Sequence, residues 1–155
     1  MEVKKSILNE TNQELAWGKL IDNHLPDFNE TNRDQLDEVS FTFSLLVGMN
    51  NQINNGGFMQ FVDNWDGSYF YETIEAAKRI KHDQLIEILT QIANVFPNKQ
   101  VPKDWDDRRS AIDEINDNES SDIWDCLDKK YYASQLTLYK LTIEYLKNNA
   151  VLIEE

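Results

Sequence analysis

The sequence is poor in several residue types, and each shortage excludes a class of protein. One cysteine, Cys126, stands among 155 residues, so neither an internal disulfide nor a cysteine-based zinc cluster can form within one chain. Five glycines and three prolines leave few sharp turns. No apolar run reaches the length of a signal peptide or a membrane span. We therefore expect a soluble, cytoplasmic protein with no membrane partner.

Basic residues are also scarce. Fifteen Lys and Arg stand against 28 Asp and Glu, which gives a net charge of −13. Such a field repels nucleic acid and attracts basic partners, although acidity can also serve solubility alone. A hydrophobic content of 41% with 4 Trp, 6 Tyr and 7 Phe exceeds what disordered acidic chains carry. A single folded domain over residues 1–155 is expected from this length.

Helical periodicity recurs along most of the chain, and no alternating pattern with hairpin turns accompanies it. We predict an all-α fold, a single compact bundle of about seven or eight helices. The helix expected from Thr31 to Ile53 is apolar on two sides, which is typical of a central helix. Asn50 falls within its apolar stripe and is expected to be a satisfied core amide. A short helix over 122–127 and a separate last helix from Tyr131 or Ser134 should follow, and the two-sided last helix leaves a homodimer open.

Recognisable catalytic and metal-binding motifs are missing too. His24 and His82 are not arranged as H-x-x-x-H, and both are expected at the surface or at helix ends. The chain has no phosphate loop, nucleophile elbow or dinucleotide fingerprint. Placing Gly67 sixth in a calcium loop puts Val62 first and Thr73 last, where an EF-hand needs acids. We therefore expect no enzyme activity, no metal and no cofactor.

The strongest signal is a concentration of acids between residues 104 and 128. Ten acids and two bases, Arg108 and Arg109, give this segment a net charge of −8. Asp122, Asp125 and Asp128 recur every three residues, about 4.5 Å of helical rise, against about 3.4 Å between DNA phosphates. A rigid row of carboxylates can occupy the surface that a DNA-binding protein keeps for phosphates, whereas the alternative is a merely solvated helix face. The predicted partner-binding residues are Asp104, Asp106, Asp107, Asp113, Glu114, Asp117, Glu119, Asp122, Asp125 and Asp128.

A second segment carries a family resemblance. Asn54-Asn55-Gly56-Gly57-Phe58-Met59-Gln60-Phe61-Val62-Asp63-Asn64 resembles the N-G-G-F-x-Q-F-x-x-N signature of a family of small bacterial DNA-mimic-like proteins, with likeness over about residues 30–148. The resemblance implies an all-α fold, a surface that imitates duplex DNA, a DNA-binding partner and no enzyme activity. The signature residues Asn55, Gly56, Gly57, Phe58, Gln60, Phe61 and Asn64 are expected to be structural. The glycines would break the helix, the phenylalanines would enter the core, and the amides would bond backbone at the corner.

The leading hypothesis is a DNA mimic that binds the basic face of a protein such as a helix-turn-helix transcription regulator, competes with DNA, and binds no nucleic acid itself. An immunity or antitoxin-type protein that neutralises a basic toxin suits the same electrostatics. A small-molecule-binding protein or enzyme is the third possibility. A deep pocket enclosing Asn50, Gln60 and Asn64, with an acid of perturbed pKa, would favour it.

Overall fold

The computed structural model describes residues 1–118 and 122–154, which form seven α-helices and one pair of short strands. In chain order the elements are β1 (Glu2–Lys4), α1 (Lys5–Leu8), α2 (Gln13–His24), α3 (Glu38–Asp63), α4 (Phe70–Arg79), α5 (Asp83–Val95), α6 (Trp105–Asn118), α7 (Asp122–Asn149) and β2 (Val151–Ile153). Short 3₁₀ helices cover Arg33–Gln35, Trp65–Tyr69 and Pro97–Lys99. The prediction of an all-α bundle is confirmed. None of the helices described here is long and apolar enough to cross a membrane.

The two strands are a feature that the sequence pattern did not predict. β1 and β2 pair in parallel, with Val3 opposite Leu152. Three residues per strand are too few to produce a readable alternation of polar and apolar positions. The pairing instead depends on the meeting of two segments from opposite ends of the chain, and Val3 is fully buried there.

α3 is the central helix, as its two apolar sides predicted. It packs against α4, α6 and α7, and its residues 40–47 are all buried. The predicted start at Thr31 is wrong, because the helix begins at Glu38. The carboxylate of Asp37 accepts a hydrogen bond from the Ser40 amide at 2.7 Å and so caps the first turn.

α7 is one continuous helix of 28 residues, and the predicted interruption after residue 127 does not exist. No glycine or proline lies within it to end the first part. The Tyr131 hydroxyl donates to Asn50 Oδ1 at 2.6 Å, and Gln135 Nε2 donates to the same oxygen at 2.9 Å. Asn50 is 2% exposed, so the prediction of a satisfied core amide is confirmed.

Candidate acidic interface

The Gly-Gly pair bends α3 in its last third. Gly57 adopts φ 75° and ψ −174°, a region essentially restricted to glycine. After the bend, Phe58 and Phe61 point into the core and are both 0% exposed. The Phe58 amide donates to Asp128 Oδ1 at 2.8 Å. A Cβ atom on Gly57 would lie 2.2 Å from Asp128 Oδ2, so both the backbone angle and the close carboxylate require glycine here.

The side-chain amides of Gln60 and Asn64 stabilise the bend by hydrogen bonding to a residue that precedes it in α3. Gln60 Nε2 and Asn64 Nδ2 both donate to Gln52 Oε1, at 2.8 and 2.7 Å. Gln52 Nε2 in turn donates to Asp66 Oδ2 at 2.8 Å. The expectation that Gln60 and Asn64 side chains bond backbone is therefore wrong. Eight residues of straight helix span about 12 Å. Because the bend brings the Gln52 and Gln60 side chains together, this contact could not be predicted from a local sequence pattern.

Eight of the ten predicted acids are exposed, and we call them the acidic face. They are Asp104, Asp106, Asp107, Asp113, Glu114, Asp117, Asp122 and Asp125. α6 orders its acids by burying Ala111, Ile112 and Ile115 on the opposite side, and α7 buries Trp124 and Leu127 in the same way. Asp104 also caps α6, because its Oδ1 accepts from the Asp107 amide at 3.0 Å. Glu119 lies outside the described residues.

Asp128 departs from the predicted row. Steps of three residues on a 3.6-residue helix drift by about 60° each, so Asp128 has turned about 120° away from Asp122. Its carboxylate is half-buried against the bend and bonded to Phe58. Burial raises the pKa of Asp128, the Phe58 amide opposes that rise, and the charge of Asp125 adds to it. Asp128 therefore supports the bend of α3 and stands apart from the acidic face.

Arg108, one of the two bases in the acidic segment, is a buried structural residue. It is 0% exposed, and its guanidinium donates to backbone carbonyls at the end of α3 and in the loop before α6. The acceptors are the carbonyls of Val62, Asn64, Pro102 and Lys103 and the hydroxyl of Ser68. Burial lowers the pKa of Arg108, and the charges of Asp63 and Asp104 oppose this.

The burial of Arg108 makes the surface of this segment more negative than the composition indicated. Arg109 is the one exposed base among residues 104–118 and 122–128. Its guanidinium lies 4.9 Å from the centre of the Trp105 ring, and its Nε lies 3.6 Å from the Asp63 carboxylate. That carboxylate belongs to α3 and not to the acidic face.

An open groove lies between the bend of α3, α6 and α7. It consists of two adjoining cavities of about 620 and 320 Å³ that share Gly56, Met59 and Asn116. The larger cavity also touches Gln60 and Asn64, whereas Asn50 is sealed in the core beneath α7. Among the described residues, the larger cavity therefore brings together Gln60 and Asn64 but not Asn50.

The histidines lie at helix ends, as predicted, but His82 is not at the surface. His24 ends α2, and His82 precedes α5 with its Nδ1 accepting from the Leu85 amide at 3.2 Å. His82 is 2% exposed, and burial lowers its pKa. Within residues 1–118 and 122–154, no group of three His, Cys, Asp or Glu side chains is placed to hold a metal ion.

Comparison with known proteins assigns the family. The family described as DMP19-like protein matches residues 34–149, three quarters of the chain. No curated protein and no solved structure matches the chain significantly. The assignment expected from the signature, a DNA-mimic-like family over about residues 30–148, is corrected by this match in both its label and its bounds. The chain belongs to the DMP19-like protein family.

Proposed function

We propose that this protein is a DNA mimic whose acidic face binds the basic DNA-binding surface of another protein and competes there with DNA. A helix-turn-helix transcription regulator in the cytoplasm is the kind of partner that fits. No catalytic role is part of the proposal. Membership of the DMP19-like family is consistent with it.

The observation that carries the proposal is that the charge of the acidic face is both ordered and unneutralised. None of its eight carboxylates takes part in an ion pair within the described part of the chain. The one exposed base within the acidic segment, Arg109, pairs with Asp63 instead. Clustered carboxylates repel one another and cost stability. A basic partner would remove that repulsion. Its association would be faster at low salt and slower as the salt concentration rises.

The helices explain why these carboxylates can stand in for phosphates. Most phosphate contacts position a DNA-binding protein without reading sequence, so a mimic needs fixed negative charges more than it needs base-like groups. α6 and the start of α7 supply such charges on backbones anchored by Ile112, Ile115 and Trp124. A mimic bound through these charges excludes DNA by occupying the same Lys and Arg side chains.

The test is a pull-down from bacterial lysate at low salt with the tagged protein as bait. One variant changes Asp106, Asp113, Asp117, Asp122 and Asp125 to Asn. The matched control removes five exposed negative charges elsewhere, with Asp22, Asp27 and Asp34 changed to Asn and with Glu14 and Glu144 changed to Gln. Both variants have the same net charge, so a difference between them reports on position and not on total charge.

We expect the wild type and the control variant to retain a DNA-binding protein, and the acidic-face variant to lose it. Added duplex DNA should release that protein, and raising the salt should weaken the complex. Recovery of a toxin-like protein that DNA does not displace would replace the proposal with the immunity-type function. Equal loss in both variants, or no basic protein retained, would refute the proposal.

A further inference from the structure

We propose that the groove beside the acidic face is a receptor for an arginine side chain of the protein partner. This inference rests on the proposed function and goes beyond it by naming the partner group and the place where it inserts. Two cavities join at Met59 and Asn116 to form a channel between α6 and α7. The bend of α3, at Gly56, forms its base.

The lining of the groove carries more acids than bases, because its one base, Arg109, is paired with Asp63 and leaves three further carboxylates. Asp113 on α6 lines one cavity and Asp125 on α7 lines the other, and both side chains are exposed. Asp128 adds a third carboxylate, although its Oδ1 is already bonded to the Phe58 amide. Burial raises the pKa of Asp128, and the charge of Asp125 adds to that rise. A cation in the groove would favour the charged forms of both carboxylates.

The floor of the groove is apolar and suits the stem of a long side chain. Met59 is 40% exposed there, and Ile112 and Trp124 complete the lining. Methionine is adaptable and accommodates varied partners, while the methylene groups of arginine pack along apolar surfaces as the charged end reaches polar groups. A hydrated Mg²⁺ or Ca²⁺ ion would make no use of such a floor.

Arginine fits the walls better than lysine does. Its planar guanidinium offers five N–H donors, binds carboxylates in a two-pronged manner and stacks on aromatic rings, and it is more weakly hydrated than an ammonium group. The exposed carboxylates of Asp113 and Asp125 and the exposed side chain of Met59 offer charged and apolar contacts within one groove. Arginine is also the side chain that DNA-binding proteins use most for guanine and use widely for phosphate.

The experiment is a ¹⁵N NMR titration of the full chain at low salt with an acetylated, amidated tri-arginine peptide, and with the tri-lysine analogue for comparison. Trp124 is the reporter, because its indole N–H donates to Asn116 Oδ1 at 3.1 Å beside the groove. The indole signals of Trp17 and Trp65, whose rings pack against Tyr139 and Phe28 away from the groove, are internal controls. We expect shifts at Trp124, Gly56 and Met59, and affinity at least about fivefold higher for the arginine peptide.

Paired variants separate the groove from the acidic face as a whole. Asp113→Asn with Asp125→Asn removes the two exposed groove carboxylates, and we expect it to weaken peptide binding about tenfold. Asp106→Asn with Asp117→Asn removes two acids outside the groove lining and should weaken binding less than about threefold. Equal losses, equal affinity for the two peptides, or shifts that bypass Trp124 would overturn the inference. The pull-down tests the proposed function independently, so it can succeed even where the titration overturns the arginine inference.

Discussion

The bend at Gly57 gives the sharpest test of the structure, because one substitution there creates two separate faults. Gly57→Ala places a side chain in a backbone region that costs about 1–3 kcal/mol for residues other than glycine. It also displaces Asp128, since the new Cβ would lie 2.2 Å from its Oδ2. Loss of the hydrogen bond from the Phe58 amide to Asp128, which caps the helix after the bend, adds about 1 kcal/mol to this cost. We expect the free energy of unfolding to fall by about 2–4 kcal/mol in total.

Urea unfolding followed by tryptophan fluorescence measures this change, and two comparisons make it specific. Gly18→Ala is the control, because no atom lies within 4 Å of its Cβ position in α2, and it should stabilise the protein by about 0.5–1 kcal/mol. In an Asp128→Ala background, Gly57→Ala should cost about 1 kcal/mol less than in the wild type, because only the backbone strain remains. The reasoning fails if the cost is the same in both backgrounds, or if Gly57→Ala behaves like Gly18→Ala.

Two further predictions concern the buried charges. Burial raises the pKa of Asp66, so its ionisation opposes folding progressively as the pH rises from the unfolded value of about 3.9 through the higher folded value. Asp66→Asn should therefore gain stability relative to the wild type between about pH 3 and pH 7 in urea unfolding, and an unchanged or reversed difference would contradict this. Arg108→Met should cost about 3–5 kcal/mol because it leaves several buried carbonyls without a donor. Arg109→Met, on an exposed side chain, should cost less than about 1 kcal/mol in the same assay.

Much of the architecture could be predicted from the sequence because it depends on local order. The apolar spacing of α3 and α5, the proline that ends α5 and the glycine pair that bends α3 are all readable within one or two helical turns. The exposed acids of α6 could be assigned to a face in the same way, since the buried positions of that helix follow its period. The family signature could also be recognised from the sequence, because its glycines allow the bend of α3 and its phenylalanines fill the core beside it.

The remaining site features depend on residues that meet only in the folded chain. Asp128 and Phe58 are 70 positions apart, and Arg108 and Val62 are 46 apart. No periodic pattern reports such contacts, so the sequence groups Asp128 with the surface acids and gives no sign that Arg108 is buried. The parallel pairing of β1 with β2 joins opposite ends of the chain for the same reason.

Sequence by itself therefore determined the helical class, the acidity of the segment over residues 104–128 and the place where α3 bends. Composition and helical period depend only on which residues stand near one another along the chain. Tertiary structure decided which of the acids face solvent, which arginine is buried, and that a groove lined by Met59 and Trp124 lies beside them. Those outcomes depend on which helices pack together, because the burial and the pKa of a charged group are properties of its neighbours in space.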